Sequence, residues 1–147
     1  MSLHYSTNQN RVLIGSKSEA NTRTSVALTN AYDNAATTKI FEAGGYSKLN
    51  LDILYTMGSG EAGNSIEVRV DQSPDRTNFY RIPNESVSSG TSTLTAREFT
   101  FVGSDAAAAT ISIGLDIFYE NIRISVKETG VATNAGTIYV EGTIWGK

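Results

Sequence analysis

Strict alternation of apolar and polar side chains is the feature that most limits the folds open to this chain of 147 residues. In NIRISVKE (121–128), Ile122, Ile124 and Val126 fall on one side, and Arg123, Ser125 and Lys127 on the other. The same period runs through KLNLDILYTM (48–57), SIEVRVDQ (65–72), TLTAREFTFV (93–102), TISIGLDIF (110–118) and TIYVEGTIW (137–145). A period of two belongs to a strand, whose successive side chains point to opposite faces; a helix repeats every 3.6 residues. TSVALT (24–29), TKIFEA (38–43) and NFYRIP (78–83) read as shorter strands, the last stopped by Pro83, which cannot donate to a ladder. The one alanine run, Ala106–Ala109, is too short for a helix.

About nine strands result, separated by clusters of Gly, Ser, Asn and Asp. One polar face per strand implies antiparallel sheets wetted on one side, and the lack of crossover helices removes a parallel α/β fold. The expected fold is all-β: an antiparallel two-sheet sandwich over residues 24–147, with the jelly roll among its forms and other sandwich topologies left open, and a barrel as the alternative. GSGEAGN (58–64) reads as the loop of a hairpin joining 48–57 to 65–72, and 121–128 with 137–145 as a terminal hairpin. Residues 1–23 are rich in Ser, Thr and Asn, with one apolar patch at Val12–Ile14, and read as an extended N-terminal arm.

A chain of this length suits one domain, which buries about 68–70% of the surface its unfolded form exposes. With no cysteine there is no disulfide framework, thiolate zinc site or thiol catalysis. No apolar run is long enough for a membrane-spanning helix, and MSLHYSTNQN lacks the apolar stretch of a signal peptide. The formal net charge of −3 speaks against a general nucleic-acid binder. Its distribution is uneven. Residues 1–23 carry Arg11, Lys17 and Arg23 against Glu19; the remainder is acidic. A basic arm on an acidic body suits an acidic neighbouring surface, including another copy of the chain.

Little in the sequence is arranged for chemistry. The single histidine, His4, lies in the arm, without the rigid support that a general base needs. One histidine supplies no zinc or iron site. Asp71, Asp75, Asp105, Asp116, Glu120 and Glu128 fall on polar faces or in loops, and DQSPD (71–75) lacks the spacing of a calcium loop. GSGEAG (58–63) lacks the following helix and Lys-Ser/Thr of a phosphate loop. Asn84-Glu85-Ser86 is a formal glycosylation sequon. No cofactor or metal is expected. Tyr139 and Trp145 share a strand face with Glu141 and Thr143; turned outward, that face would serve as an interface or ligand platform.

LNLDILYTMGSGEAGNSIEVRVDQSPDRTNFYRIP (49–83) and RISVKETGVATNAGTIYVEGTIWGK (123–147) carry a resemblance. The marks are Asp75, Asn78, Phe79 and Tyr80, then Ile122–Gly130 and Gly136–Glu141. In these the chain resembles the small β-sandwich structural proteins of tailed-bacteriophage particles, in particular capsid decoration proteins. The resemblance implies a non-enzymatic virion protein on the capsid exterior. Its implied partners are the major capsid protein and copies of itself, as a homotrimer, with neither nucleic acid nor membrane. Arg11, Val12, Leu13, Ile14, Tyr139 and Trp145 are the expected partner-binding residues. The competing expectation is a receptor- or glycan-binding module of a phage fibre or tail, with Trp145 or Tyr80 in an exposed aromatic groove.

Overall fold

The alternating runs fold as the strands their period demands. The computed structural model describes residues 9–32, 35–58, 65–102, 108–129 and 134–146. In chain order the strands are β1 (Gln9–Ile14), β2 (Ser16–Lys17), β3 (Arg23–Thr24), β4 (Val26–Ala27), β5 (Thr38–Glu42), β6 (Lys48–Thr56) and β7 (Ser65–Ser73). Then come β8 (Tyr80–Arg81), β9 (Pro83–Ser88), β10 (Thr91–Ala96), β11 (Phe99–Val102), β12 (Ala108–Asp116), β13 (Asn121–Glu128) and β14 (Thr137–Trp145). No helix occurs among the described residues.

Two five-stranded sheets face each other. Sheet A has the order β1-β14-β6-β12, with β4 also on β14; sheet B has the order β11-β7-β13-β5, with β8 also on β7. All of these ladders are antiparallel. The chain passes between sheets from β1 to β5, β5 to β6, β6 to β7, β11 to β12, β12 to β13 and β13 to β14. Only β7 and β11 are neighbours in one sheet as well as successive main strands. This is the connectivity of a jelly roll.

That connectivity corrects both expected hairpins. β6 pairs with β14 and β12, and β7 with β13 and β11, so the 58–64 connection joins two sheets. β13 and β14 likewise lie in opposite sheets. The physical reason is that alternation specifies which face of a strand turns inward, not which strand lies beside it. The inward faces are those the period indicates. Leu49, Leu51, Ile53, Tyr55 and Met57 of the β6 run meet Ile66, Val68, Val70, Ile122, Ile124 and Val126 of sheet B, all buried in one core. Ile138, Val140 and Ile144 of β14 join them.

The expected arm is corrected over its described part. β1 pairs with β14, Gln9 opposite Ile144, and its register shifts between Val12 and Ile14. That bulge lets the consecutive Leu13 and Ile14 both turn into the core, so the patch Val12–Ile14 belongs to the sandwich. Residues 1–8 lie outside the described residues.

The expected single strand 93–102 is two: Thr93–Ala96 lies in β10 and Phe99–Val102 is β11. Between β8 and β11 the chain leaves the edge of sheet B as a separate two-stranded hairpin, β9–β10. Its turn has two central residues, Ser89 (φ 50°) and Gly90 (φ 78°), both left-handed, as a type I′ turn requires. Glycine supplies the second at no steric cost.

Val126 is fully buried. Val126→Asp places an unpaired charge in the core, at a cost of roughly 3–5 kcal/mol. Chemical denaturation of the variant should show that loss; an unchanged midpoint would place Val126 on the outer face of β13.

Candidate docking surface

Two surfaces bring functional side chains together: the outer face of sheet A, and the rim where the hairpin leaves sheet B. On sheet A, Tyr139 and Glu141 point outward from β14, as their alternation indicates, yet both are buried. A strap formed by β2 and β3 lies over them. Gly15 makes the turn into the strap with φ 89°, and a Cβ there would fall 2.5 Å from the Thr24 carbonyl oxygen and 2.8 Å from the Tyr139 ring. Any larger residue would lift the strap.

Charge fixes the strap in place. Lys17 Nζ lies 3.1 Å, and Arg23 Nε 3.4 Å, from Glu141 Oε1. The Tyr139 hydroxyl donates to Glu141 Oε1 at 2.5 Å, and Asn10 Nδ2 to Oε2 at 3.3 Å. Asp52 stands directly opposite Glu141 on β6, a like-charge pair that the two cations offset. The Tyr139 hydroxyl, foremost among these donors, holds the Glu141 carboxyl below its usual range. Burial first, then the hydrogen bond to Glu141, pushes the Tyr139 phenol up to about 12. A cleft of about 440 Å³ opens beside the strap, walled by Arg23, Asp52, Thr110, Ser112, Tyr139 and Glu141. Asp52 already accepts from Asn50 at 3.0 Å and Ser112 at 2.9 Å. Glu141 is a stabilised anion with no proton to offer near neutrality.

The rim is built differently. Arg81 and Glu98 flank the hairpin, one on each leg, and both are tied to β7. Arg81 Nε lies 2.9 Å from Asp71, Arg81 Nη1 lies 3.0 Å from Glu98, and Glu98 lies 2.7 Å from Arg69. Asp71 is buried and also takes Arg123 at 2.9 Å. The Arg97 N–H donates to the Ile82 carbonyl at 3.1 Å and closes the base. Beyond it the hairpin is exposed along its whole length. Its register puts Pro83, Glu85, Val87, Ser92, Leu94 and Ala96 on one face and only Asn, Ser and Thr on the other. Val87 and Leu94 are 69% and 65% exposed.

Beside the base lies a recess of about 340 Å³, lined by Ile82, Arg97, Leu115, Phe118 and Trp145 together with the Lys48–Asp116 ion pair. Phe118 is 66% exposed, and the neighbouring Tyr80 and Tyr119 rings lie 6.2 Å apart. One buried residue holds these aromatics outward. Gln72 Oε1 accepts the N–H of Phe118 at 2.7 Å and of Tyr119 at 3.1 Å, while its Nε2 donates to the Asp116 carbonyl at 2.8 Å. The adjacent edge of β12 pairs with no further strand among the described residues.

The six residues expected to bind partners are therefore scattered. Leu13 and Ile14 are buried, Val12 is half-buried beside Glu141, and Arg11 is exposed, donating to the Glu42 carbonyl at 3.3 Å and to Gln9 at 2.6 Å. Tyr139 is sealed under the strap, so the shared outer face of Tyr139 and Trp145 is no open platform. Trp145 is half-buried at the recess. Of the acids, Asp75 accepts the N–H groups of Asn78 and Thr77 within its own turn, which holds its carboxyl well below the usual range. Glu128 is buried and accepts the Gly136 N–H at 3.1 Å. His4, Asp105 and residues 59–64 lie outside the described residues. Among those described, no three acids or histidines are grouped to hold a metal. The rim residues Ile82, Leu94, Arg97 and Phe118 escape sequence reasoning; the Ser89-Gly90 pair between Ser/Thr-rich flanks is the one signal that marks the hairpin.

No protein-family model and no curated protein matches the chain. Among solved structures it is similar to an exo-β-1,3-galactanase from Phanerochaete chrysosporium determined with galactose, at 14% sequence identity and a TM-score of 0.37. The match covers 97% of this chain and 30% of the galactanase chain, so this chain spans less than a third of that protein. A likeness of this degree bears on neither fold nor function.

Two expectations follow. The buried neutral Tyr139 contributes stability in full below pH 10, its unfolded value, and loses it as pH rises toward about 12. The melting temperature should fall between those values, and less steeply in Tyr139→Phe; parallel curves would mean that folding does not raise the pKa of the phenol. Gln72→Leu strips three hydrogen bonds from the 116–119 turn and should cost about 1–3 kcal/mol. Amide exchange at Phe118 and Tyr119 should quicken well beyond that of the core strands, and equal protection in the variant would show that the turn holds itself.

Proposed function

We propose that this protein is a non-enzymatic structural component of a tailed-phage particle, attached to the capsid exterior, where it cements or decorates neighbouring coat subunits. One observation carries the reading: a hairpin, 83–96, stands clear of the body with its apolar stripe exposed while its two legs are tied to β7 by ion pairs that run from buried Asp71 through half-buried Arg81 and Arg69 to exposed Glu98. A two-stranded hairpin is marginal in water on its own, and a rigidly mounted apolar surface is costly to leave wet. Such a device has its use when another protein covers it. The resemblance across 49–83 and 123–147 supports the same reading, and jelly rolls are a recurrent architecture of viral capsid domains, though architecture alone does not fix function.

The mechanism is linkage. A protein that binds neighbouring coat subunits only in the assembled shell stabilises that shell by mass action. Repetition over a symmetric lattice multiplies a modest contact through avidity. The clamped hairpin loses little further conformational freedom on docking, so less of the contact energy goes to ordering.

Purified particles test this. Cryo-electron microscopy should place wild-type protein on the capsid surface in stoichiometric copies. A variant with 83–96 replaced by a short Gly-Ser turn should fold, by circular dichroism, and leave that density empty. Equal occupancy by the trimmed variant would defeat the reading. So would glycan binding that disappears in Trp145→Ala, because the recess would then be the site of a receptor-binding module.

A further inference from the structure

We infer that the hairpin stripe of one copy docks into the recess of a second copy, so that this protein self-associates through a contact between two different patches of its own surface. The inference rests on the proposed role of the rim as a docking surface and names its occupant. Three features of the rim match. The stripe presents Val87, Leu94 and Ala96, and the recess presents Ile82, Leu115, Phe118 and Trp145, so apolar surface meets apolar surface. The stripe carries one charge, Glu85, held among the described residues only by the Ser92 hydroxyl. The recess carries Arg97, whose guanidinium sits 4.9 Å over the Phe99 ring and has no carboxylate partner among the described residues. A carboxylate arriving with the stripe supplies the missing partner in a half-buried site, where a charge-assisted hydrogen bond is strong.

Within one copy the contact is not made, since Val87 and Leu94 remain mostly exposed. Each copy thus has one donor patch and one acceptor patch. Contacts of this kind between unlike patches close into rings when the rotation between copies permits. The free edge of β12 adjoins the same recess, so an incoming strand also finds unpaired backbone groups there. Matching apolar surface and a cation for Glu85, unpaired among the described residues and set beside the Lys48–Asp116 ion pair, lie within the chain's own surface, and this is what favours a second copy over an unrelated partner.

Sedimentation equilibrium on the full chain, over a range of concentrations, reads the outcome. Wild type should associate reversibly, and Leu94→Asp should be a monomer. Leu94 is exposed in the isolated copy, so that variant should keep the melting curve of a dissociated wild-type sample. Glu85→Arg and Arg97→Glu should each weaken association about tenfold or more, and the double variant should recover most of it. A wild-type protein that stays monomeric at its highest soluble concentration would overturn the inference, as would a double variant weaker than both single ones. The two readings fail separately. A monomer whose hairpin still governs particle occupancy leaves the capsid role standing with the coat protein on the stripe. A self-associating protein missing from particles leaves this contact standing and removes the capsid role.

Discussion

Face-to-face burial between two sheets is the constraint on which everything else in this molecule depends. Because successive main strands lie in opposite sheets, with β7 and β11 excepted, few ladders can be secured by a tight turn. The inner faces of β6, β7, β13 and β14 must therefore find each other across the core, and their side chains there are almost without solvent exposure. Each sheet is positioned by the other. The strap and the rim are later additions to that frame, one on the outside of sheet A and the other at the edge of sheet B.

The two additions use charge in contrasting ways. Under the strap, Glu141 is surrounded by Lys17, Arg23, Asn10 and the Tyr139 hydroxyl, and this closes a face that alternation alone would leave open. At the rim, the Asp71–Arg81–Glu98–Arg69 chain holds a projecting element by its root and leaves its tip uncovered. A partly buried network of this kind sets orientation more than it adds net stability, since the desolvation of Asp71 offsets much of its attraction to two arginines. What it provides is a fixed angle for the hairpin.

Much of the fold was legible because a period of two is unambiguous when strands are long. The inward residues of β6, β7, β13 and β14 follow from their spacing alone. Strand neighbours did not follow, because nothing in SIEVRVDQ says whether KLNLDILYTM lies beside it or across from it. β1 was hidden by its bulge: Val12, Leu13 and Ile14 are consecutive, and a register shift turns two of them inward together. The hairpin was half hidden: the period through 93–102 covers part of β10 but runs on into β11 without marking the break at Arg97-Glu98, and Pro83–Ser88 has too few apolar positions to show a period. Tyr139 and Glu141 were placed on the correct face, but their cover comes from residues far away in sequence, and no local pattern announces a strap. The recess is still less visible, since Ile82, Leu115 and Trp145 come from three separate strands or joints.

The pairing of β1 with β14 unites the first and last described strands of the chain. On the ribosome, Gln9–Ile14 has to wait without its sheet neighbour until Thr137–Trp145 has emerged. Sheet A is thus completed only when its last strand arrives, and for that interval β14's future neighbour is an open template that a chaperone or a nearby nascent chain can reach.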